Sequence, residues 1–254
     1  MIKTQETFLI IRNIIEGYEK VIKNDHNIFK GNLLGFCELK LLKADTNAFL
    51  FGLISDQSVK AEIAWSLPYR LKQRLGPLDI DTISRMGVEK IADVIKKKPA
   101  LHRYPTNIAK YLTAASEKLI LEYEGNASNI WKRDVSAEEI GKRLEEFKGI
   151  SKKKAALGCL LLVRDFGVVV KDKENINLAF DLHIRRICLR TGMSRIDSVE
   201  SIEKVGKSIF PDFPGRLTSS LWAIGRDVCR PTEPACHLCP LHKVCDYCCA
   251  NKGV

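Results

Sequence analysis

Residues able to do chemistry gather at three places in this chain. Six of its nine cysteines lie between Cys229 and Cys249. Four of them, Cys229, Cys236, Cys239 and Cys245, are separated by six, two and five residues. Four thiolates at short fixed gaps can surround one soft cofactor, zinc or an iron–sulfur cluster, because both accept a tetrahedral arrangement of sulfur. Spacing alone leaves that choice open, along with a cofactor-free arrangement. Pro231, Pro234 and Pro240 stiffen the loop and hold short segments outside regular helix. His237 and His242 sit inside it and are read as loop residues, since four cysteines already fill the coordination number. Cys248 and Cys249 lie beyond the spacing and have no assigned role. Cys37, Cys159 and Cys188 fall in apolar stretches and are expected in the core.

The second place is Phe147-Lys148-Gly149-Ile150-Ser151-Lys152-Lys153-Lys154-Ala155. It reads as a helix, a tight turn and a second helix. Gly149 can take the positive φ that the turn requires, and the amides opening the second helix form a cradle for a phosphate. Helical geometry turns Lys152, Lys153 and Lys154 about 100° apart, so only one of them faces a given surface. The third place is Asp181, flanked by Phe180 and Leu182. Its plainest role is to cap a helix running through Ile187 and Leu189.

The elements that must carry these groups are helices. Apolar residues recur at helical spacing over 50–55, 59–75, 107–123, 136–147, 152–166, 178–191, 198–209 and 215–228. Only Val168 to Val170 reads as strand, and no repeat or low-complexity tract interrupts the pattern. With 254 residues, 45% hydrophobic and 28% charged, the chain is long enough for one large or two modest folded units, and disordered or fibrous classes are excluded. No apolar run reaches the ~18–20 residues that span a bilayer, and the amphipathic, acid-containing N-terminus does not read as a secretion signal. An intracellular protein is expected, cytoplasmic and nucleoid-associated if the source is prokaryotic. In such a reducing compartment clustered cysteines hold metals more often than disulfides. The net charge is +10, and residues 142–190 carry twelve basic and six acidic side chains. This excess favours a polyanionic partner, or else simply solvates a helix surface.

Taken in order, these parts resemble the endonuclease III and MutY family of DNA glycosylases, the helix-hairpin-helix superfamily, over about Asn47 to Cys245. The six-two-five cysteine spacing at the end of a helical chain is similar to that family's cluster loop. The resemblance implies a [4Fe–4S] cluster on Cys229, Cys236, Cys239 and Cys245, with zinc the lesser alternative. It also implies an all-α, two-lobed fold with a DNA cleft between the lobes. One lobe is expected at about 44–169 with the hairpin at about 140–165, and the other from 1–43 together with 170–254.

Aligned on Gly149 and Ala155, the hairpin places Lys153 where members with strand-cleaving activity carry a catalytic lysine. The competing role for Lys153 is phosphate neutralisation. An amine attacks only when deprotonated, so the nucleophilic role calls for desolvation or neighbouring cations. Ser151 stands where the family's second turn glycine is usual, and its hydroxyl is expected to cap the second helix or donate to a phosphate. The Asp-x-His pattern of Asp181 and His183 matches the family's catalytic aspartate segment, a role compatible with capping. Leu53-Ile54-Ser55-Asp56-Gln57-Ser58 resembles the helix end whose glutamine fills the gap left by an extruded base, with a helix-capping or solvent-facing glutamine the duller reading. Gly149, Ser151, Lys152, Lys154 and Gln57 are the expected DNA contacts.

The gap between Lys153 and Asp181 is longer than in typical relatives, and residues 168–177 read as an insertion. The implied activity is removal of a damaged or mismatched base from double-stranded DNA, with Lys153 forming a Schiff base and β-elimination following. The rivals are a water-using glycosylase with Asp181 as base, and a non-catalytic DNA-binding module. A monomer is the default expectation.

Overall fold

The computed structural model describes residues 3–21, 33–132 and 134–250. Its α-helices run, in chain order, α1 Gln5–Val21, α2 Phe36–Ala44, α3 Thr46–Ser55, α4 Ala61–Leu75, α5 Ile80–Lys96, α6 Pro105–Tyr123, α7 Ala137–Glu145, α8 Lys152–Asp165, α9 Leu182–Thr191, α10 Val199–Ile209, α11 Leu217–Asp227 and α12 Asp246–Ala250. Among the described residues there is no β-strand, and no helix is long and apolar enough to cross a membrane. The chain divides into two compact units, Met1–His26 with Asp172–Val254, and Asn27–Lys171.

In the unit Asn27–Lys171 the helices start where the sequence supplies caps. Asp45 accepts from the amides of Asn47 and Ala48 to open α3, and Ser136 accepts from the Glu139 amide to open α7. Glu138 and Glu139 then complement the positive end of α7, and Lys142 and Arg143 its negative end. The core is aromatic at its centre, with Phe49 packed against Trp65, Trp131 and Phe166 at ring separations of 5.6, 5.9 and 4.8 Å. Helix α3 is buried from Ala48 to Ser55, so its C-terminal end is a fixed point from which the following loop leaves. Helix α2, whose residues up to Lys43 were expected with the terminal unit, packs on α3 and α4.

The unit formed by the two ends of the chain packs α1 on α10 and α11, and α9 on α11 and α12. Ile11 and Ile15 of α1 are fully buried among Leu178, Ile187, Ile202 and Leu221. Around this core Arg216 pairs with Glu19 at 2.6 Å, and Lys3 donates to the Val244 carbonyl at 2.7 Å and pairs with Asp246 at 2.8 Å.

Two local expectations are corrected. Val168–Val170 is not a strand: the Val168 amide donates back to Leu162 O at the end of α8, and no described strand lies alongside to complete a ladder. The helix expected from Leu178 begins at Leu182, because residues 178–181 lie outside regular structure and Asp181, itself extended, is the N-cap of α9.

Candidate functional site

The hairpin forms as a turn between α7 and α8. The Ile150 amide closes it on Phe147 O at 3.0 Å, and Ala155 N donates to Ser151 O at 2.8 Å to start α8. Gly149 has φ 89°, and a Cβ there would stand 2.7 Å from Tyr111 Cδ2. Glycine is therefore needed twice, for the backbone angle and for the close approach of the ring. Ser151 occupies the cap position of α8 in extended geometry, yet its side chain makes no capping hydrogen bond. The expected hydroxyl cap is absent, so Ser151 does not take up the amides that open the helix.

The three lysines separate as helical geometry requires. Lys152 and Lys153 are exposed, while Lys154 is 6% exposed. Lys154 Nζ donates to Gly149 O and to Ile54 O, both at 2.7 Å. Burial pulls its pKa down to about 8; the Asp56 carboxylate opposes that fall and the Lys153 charge adds to it. Lys154 was expected at a phosphate. It is instead turned inward, where the hairpin turn and the end of α3 present carbonyls lacking helical partners, and it ties the two together.

The same end of α3 is held by a residue that sequence reasoning missed. His102 is buried, its Nδ1 accepts from the Tyr104 amide at 3.0 Å, and its Nε2 lies 3.1 Å from Ser55 O. An amide can only donate, so Nδ1 is unprotonated and the Nε2 hydrogen goes to the carbonyl, which makes the ring neutral. Burial, together with the Lys154 charge, holds its pKa below the usual histidine value. No spacing signal in the loop around His102 points to this contact. Gln57 follows directly, half-buried, with its side-chain amide folded back on Ile54 O at 3.2 Å. The loop then turns through Ser58 at φ 55°.

In the other unit, Asp181 caps α9: Oδ1 accepts from the Ile184 amide at 2.8 Å. Oδ2 has no hydrogen-bond partner among the described residues, and Leu182 beside it is 71% exposed. His183 packs on α11: a Cβ on Gly225 would stand 2.6 Å from His183 Cβ and 3.1 Å from its Cα, and its Nδ1 lies 3.1 Å from the Arg186 guanidinium. Arg186 continues to Gly225 O at 2.6 Å and Cys229 O at 2.7 Å. Arg190, a turn further on, donates to Arg230 O and Pro231 O, each at 2.7 Å, and approaches Cys229 Sγ at 3.5 Å. One helix thus carries the Asp181 carboxylate at its start and grips the cysteine loop with two guanidinium groups further along.

Cys229, Cys236, Cys239 and Cys245 line one cavity, closed by Ile187, Ile224 and Val228 and reached also by Cys248. Among the described residues no three His, Cys, Asp or Glu side chains stand close enough to hold a single metal ion. Burial pushes Cys239 up to about 12 and raises Cys236 and Cys245, with neighbouring thiols adding to each rise. Four cysteine sulfurs lining one cavity are a soft donor set, the kind that suits zinc or an iron–sulfur group. Of the other cysteines expected in the core, Cys159 and Cys188 are buried, but Cys37 is exposed on the short α2.

A family model for the HhH-GPD superfamily base excision DNA repair protein matches residues 51–212. Endonuclease III of Rickettsia conorii (strain ATCC VR-613 / Malish 7) is 26% identical over 141 residues, covering 55% of this chain and 57% of that protein. Endonuclease III of Thermotoga maritima is 34% identical over 71 residues, covering 28% of this chain and 33% of that protein. The match thus spans little more than half of the first relative and a third of the second. A solved trapped endonuclease III–DNA covalent intermediate has a TM-score of 0.69 at 20% identity, covering 98% of this chain and 99% of that one. A thermostable thymine-DNA glycosylase has a TM-score of 0.67 at 15% identity, covering 96% and 98%. At these identities the structural likeness is one of fold.

Proposed function

Since the chain belongs to the HhH-GPD superfamily of base excision DNA repair proteins, as its hairpin, aspartate and cysteine spacing led us to expect, we propose that it is an endonuclease III-like DNA glycosylase with strand-cleaving activity. Its partner is double-stranded DNA carrying a lesion, a mismatch or an abasic site, met inside the cell by a monomer. The observation that carries this reading is the division of labour at the start of α8: Lys154 is committed to two carbonyls, and Lys153 is left outward at an uncapped helix N-terminus.

In this reading the α8 amides and Lys152 receive phosphates without regard to sequence, and Gly149 allows the backbone to come close. A base inside a duplex is out of reach, so the target nucleotide is flipped out. Gln57 leaves Ile54 O and enters the gap. That carbonyl keeps its bond to Lys154, so the move strands no buried acceptor. Lys153 Nζ, desolvated by the bound DNA, attacks the anomeric carbon. Its proton is lost, the bond from sugar to base breaks, and the base leaves with that bond's electron pair. The role of the Asp181 carboxylate in this reading is to stabilise the positive charge that develops on the sugar. The nitrogen lone pair then opens the sugar ring: the C1′–O4′ bond breaks, O4′ keeps its electron pair and takes up a proton, and the iminium so formed acidifies the neighbouring carbon, which loses a proton as the 3′ phosphate is expelled. Cys229, Cys236, Cys239 and Cys245 would hold a [4Fe–4S] cluster, whose iron–thiolate bonds supply cross-links that fix the loop gripped by α9.

Borohydride reduction during incubation with duplex DNA containing an abasic site tests this. Wild type is expected to form a covalent adduct and to cleave the strand, and Lys153→Ala to do neither. No adduct with wild type, or an undiminished adduct with Lys153→Ala, removes the lysine from its role. If wild type releases bases from a lesion panel and leaves intact strands, water activated by Asp181 is the nucleophile.

A further inference from the structure

The end of α3 presents two carbonyls in succession, and Gln57 bonds to both. Ile54 O accepts from the Gln57 side-chain amide at 3.2 Å and from Lys154 Nζ at 2.7 Å. Ser55 O accepts from the Gln57 main-chain amide at 2.8 Å and lies 3.1 Å from His102 Nε2. Asp56, between Ser55 and Gln57, has φ −75° and ψ 73°, the inverse γ-turn that such an i to i+2 hydrogen bond closes. The Gln57 side chain can therefore leave its carbonyl to Lys154, but its backbone is set by the Ser55 carbonyl. The Ser55 hydroxyl adds no hold, being buried without a partner among the described residues.

His102 is braced for this contact. It is buried, its Nδ1 takes the Tyr104 amide at 3.0 Å, and the amide of buried Leu101 donates to Ile95 O at 2.9 Å. Arg74 fixes the stretch before it by donating to Lys97 O at 2.9 Å and Pro99 O at 2.6 Å. We propose that His102 is a positioning residue for gap filling: by holding Ser55 O it fixes the turn at Asp56, so that the Gln57 backbone stays set while its side chain swings from Ile54 O into the gap. The inference rests on the gap-filling role given to Gln57 above. Without the Ser55 contact the turn opens, and each insertion then carries the entropic cost of ordering that backbone.

The test uses duplex DNA containing a tetrahydrofuran abasic analogue, and reads the preference for it over the same duplex intact as the ratio of the two Kd values. His102→Gln places an amide nitrogen where Nε2 stands and gives up the Tyr104 amide. His102→Asn keeps an acceptor for Tyr104 and cannot reach Ser55 O. Each loses one of two hydrogen bonds, so a role in stability alone moves both alike. Gln57→Ala is expected to lower the preference about tenfold, the worth of roughly one well-placed hydrogen bond. His102→Asn is expected to lower it several-fold, His102→Gln to keep it near wild type, and His102→Asn to add nothing in a Gln57→Ala background. A His102→Asn protein with wild-type preference, a His102→Gln protein as impaired as His102→Asn, or a full additional loss in the double variant overturns the proposal. If Gln57→Ala itself keeps the wild-type preference, the gap-filling reading fails and takes the proposal with it. Should His102→Asn not fold, His102→Gln decides, and a preference as low as that of Gln57→Ala overturns the proposal.

Discussion

Lys154 sets a balance that pH can tip. Its ammonium is buried against two carbonyls, which a neutral amine can also serve through its two N–H groups, so losing the proton relieves the buried charge and leaves both acceptors partnered by weaker bonds. The folded group loses its proton near pH 8, whereas in the unfolded chain a lysine keeps it to about pH 10.4. Between those values the unfolded state binds more protons, so stability rises with pH through this group. Lys154→Met removes the effect. Its melting temperature is expected to fall further below that of wild type as pH is raised from about 8 to about 10, by an amount equivalent to roughly 1–3 kcal/mol. A gap that stays constant across that range would mean that Lys154 is not buried as described. The three adjacent lysines were plain in the sequence, and so was the rule that they diverge. Which one turned inward depended on Ile54 O, a backbone atom 100 residues away in the chain. His102 was invisible for the same reason, since its partners are main-chain groups that carry no residue signature. Asp181 and the four cysteines were legible because local geometry decides their placement.

Where an element begins was legible at Ser136, where a side chain marks the place, and was misread at Leu178 and where tertiary partners decide. Val168–Val170 has the composition of a strand but no described strand beside it, and α5 is broken at Gly87, at φ 73° and ψ 173°, into two helical pieces that bury Ile83 on one side of the kink and Ile91 and Ile95 on the other. The hairpin shows how tightly such an element can be specified. Its turn needs a positive φ at Gly149 and tolerates the Tyr111 ring only because no Cβ is there. Gly149→Ala is expected to destabilise the protein by about 1–3 kcal/mol in urea denaturation, the cost of a strained φ plus a displaced ring. Because the turn also sets the Gly149 carbonyl against Lys154, duplex DNA affinity should fall even under conditions where the variant is fully folded. Unchanged affinity would show that the turn has no part in gripping the phosphate backbone.

At the scale of the molecule, the unit carrying Asp181 and the cysteine loop is closed by the other end of the chain: α1 buries Ile11 and Ile15 in its core, and Lys3 reaches Val244 and Asp246. Sequence resemblance faded over residues 1–43, because burying an amphipathic helix demands only apolar residues at the right period, and many sequences satisfy that. Charge is the other property of the whole. A net +10 draws any polyanion, but only cations placed on the phosphates release counterions on binding. Lys152, exposed at the start of α8, is the test of that distinction. Lys152→Ala is expected to weaken binding to every duplex by a similar factor, whatever the sequence or lesion, and to reduce the slope of log affinity against log salt by about one unit. If affinity drops for a lesion-bearing duplex and not for plain duplex, Lys152 reads the damaged site itself. If the slope does not move, the basic excess of this chain acts at a distance, by steering DNA toward the hairpin, and the phosphate grip resides in the α8 amides.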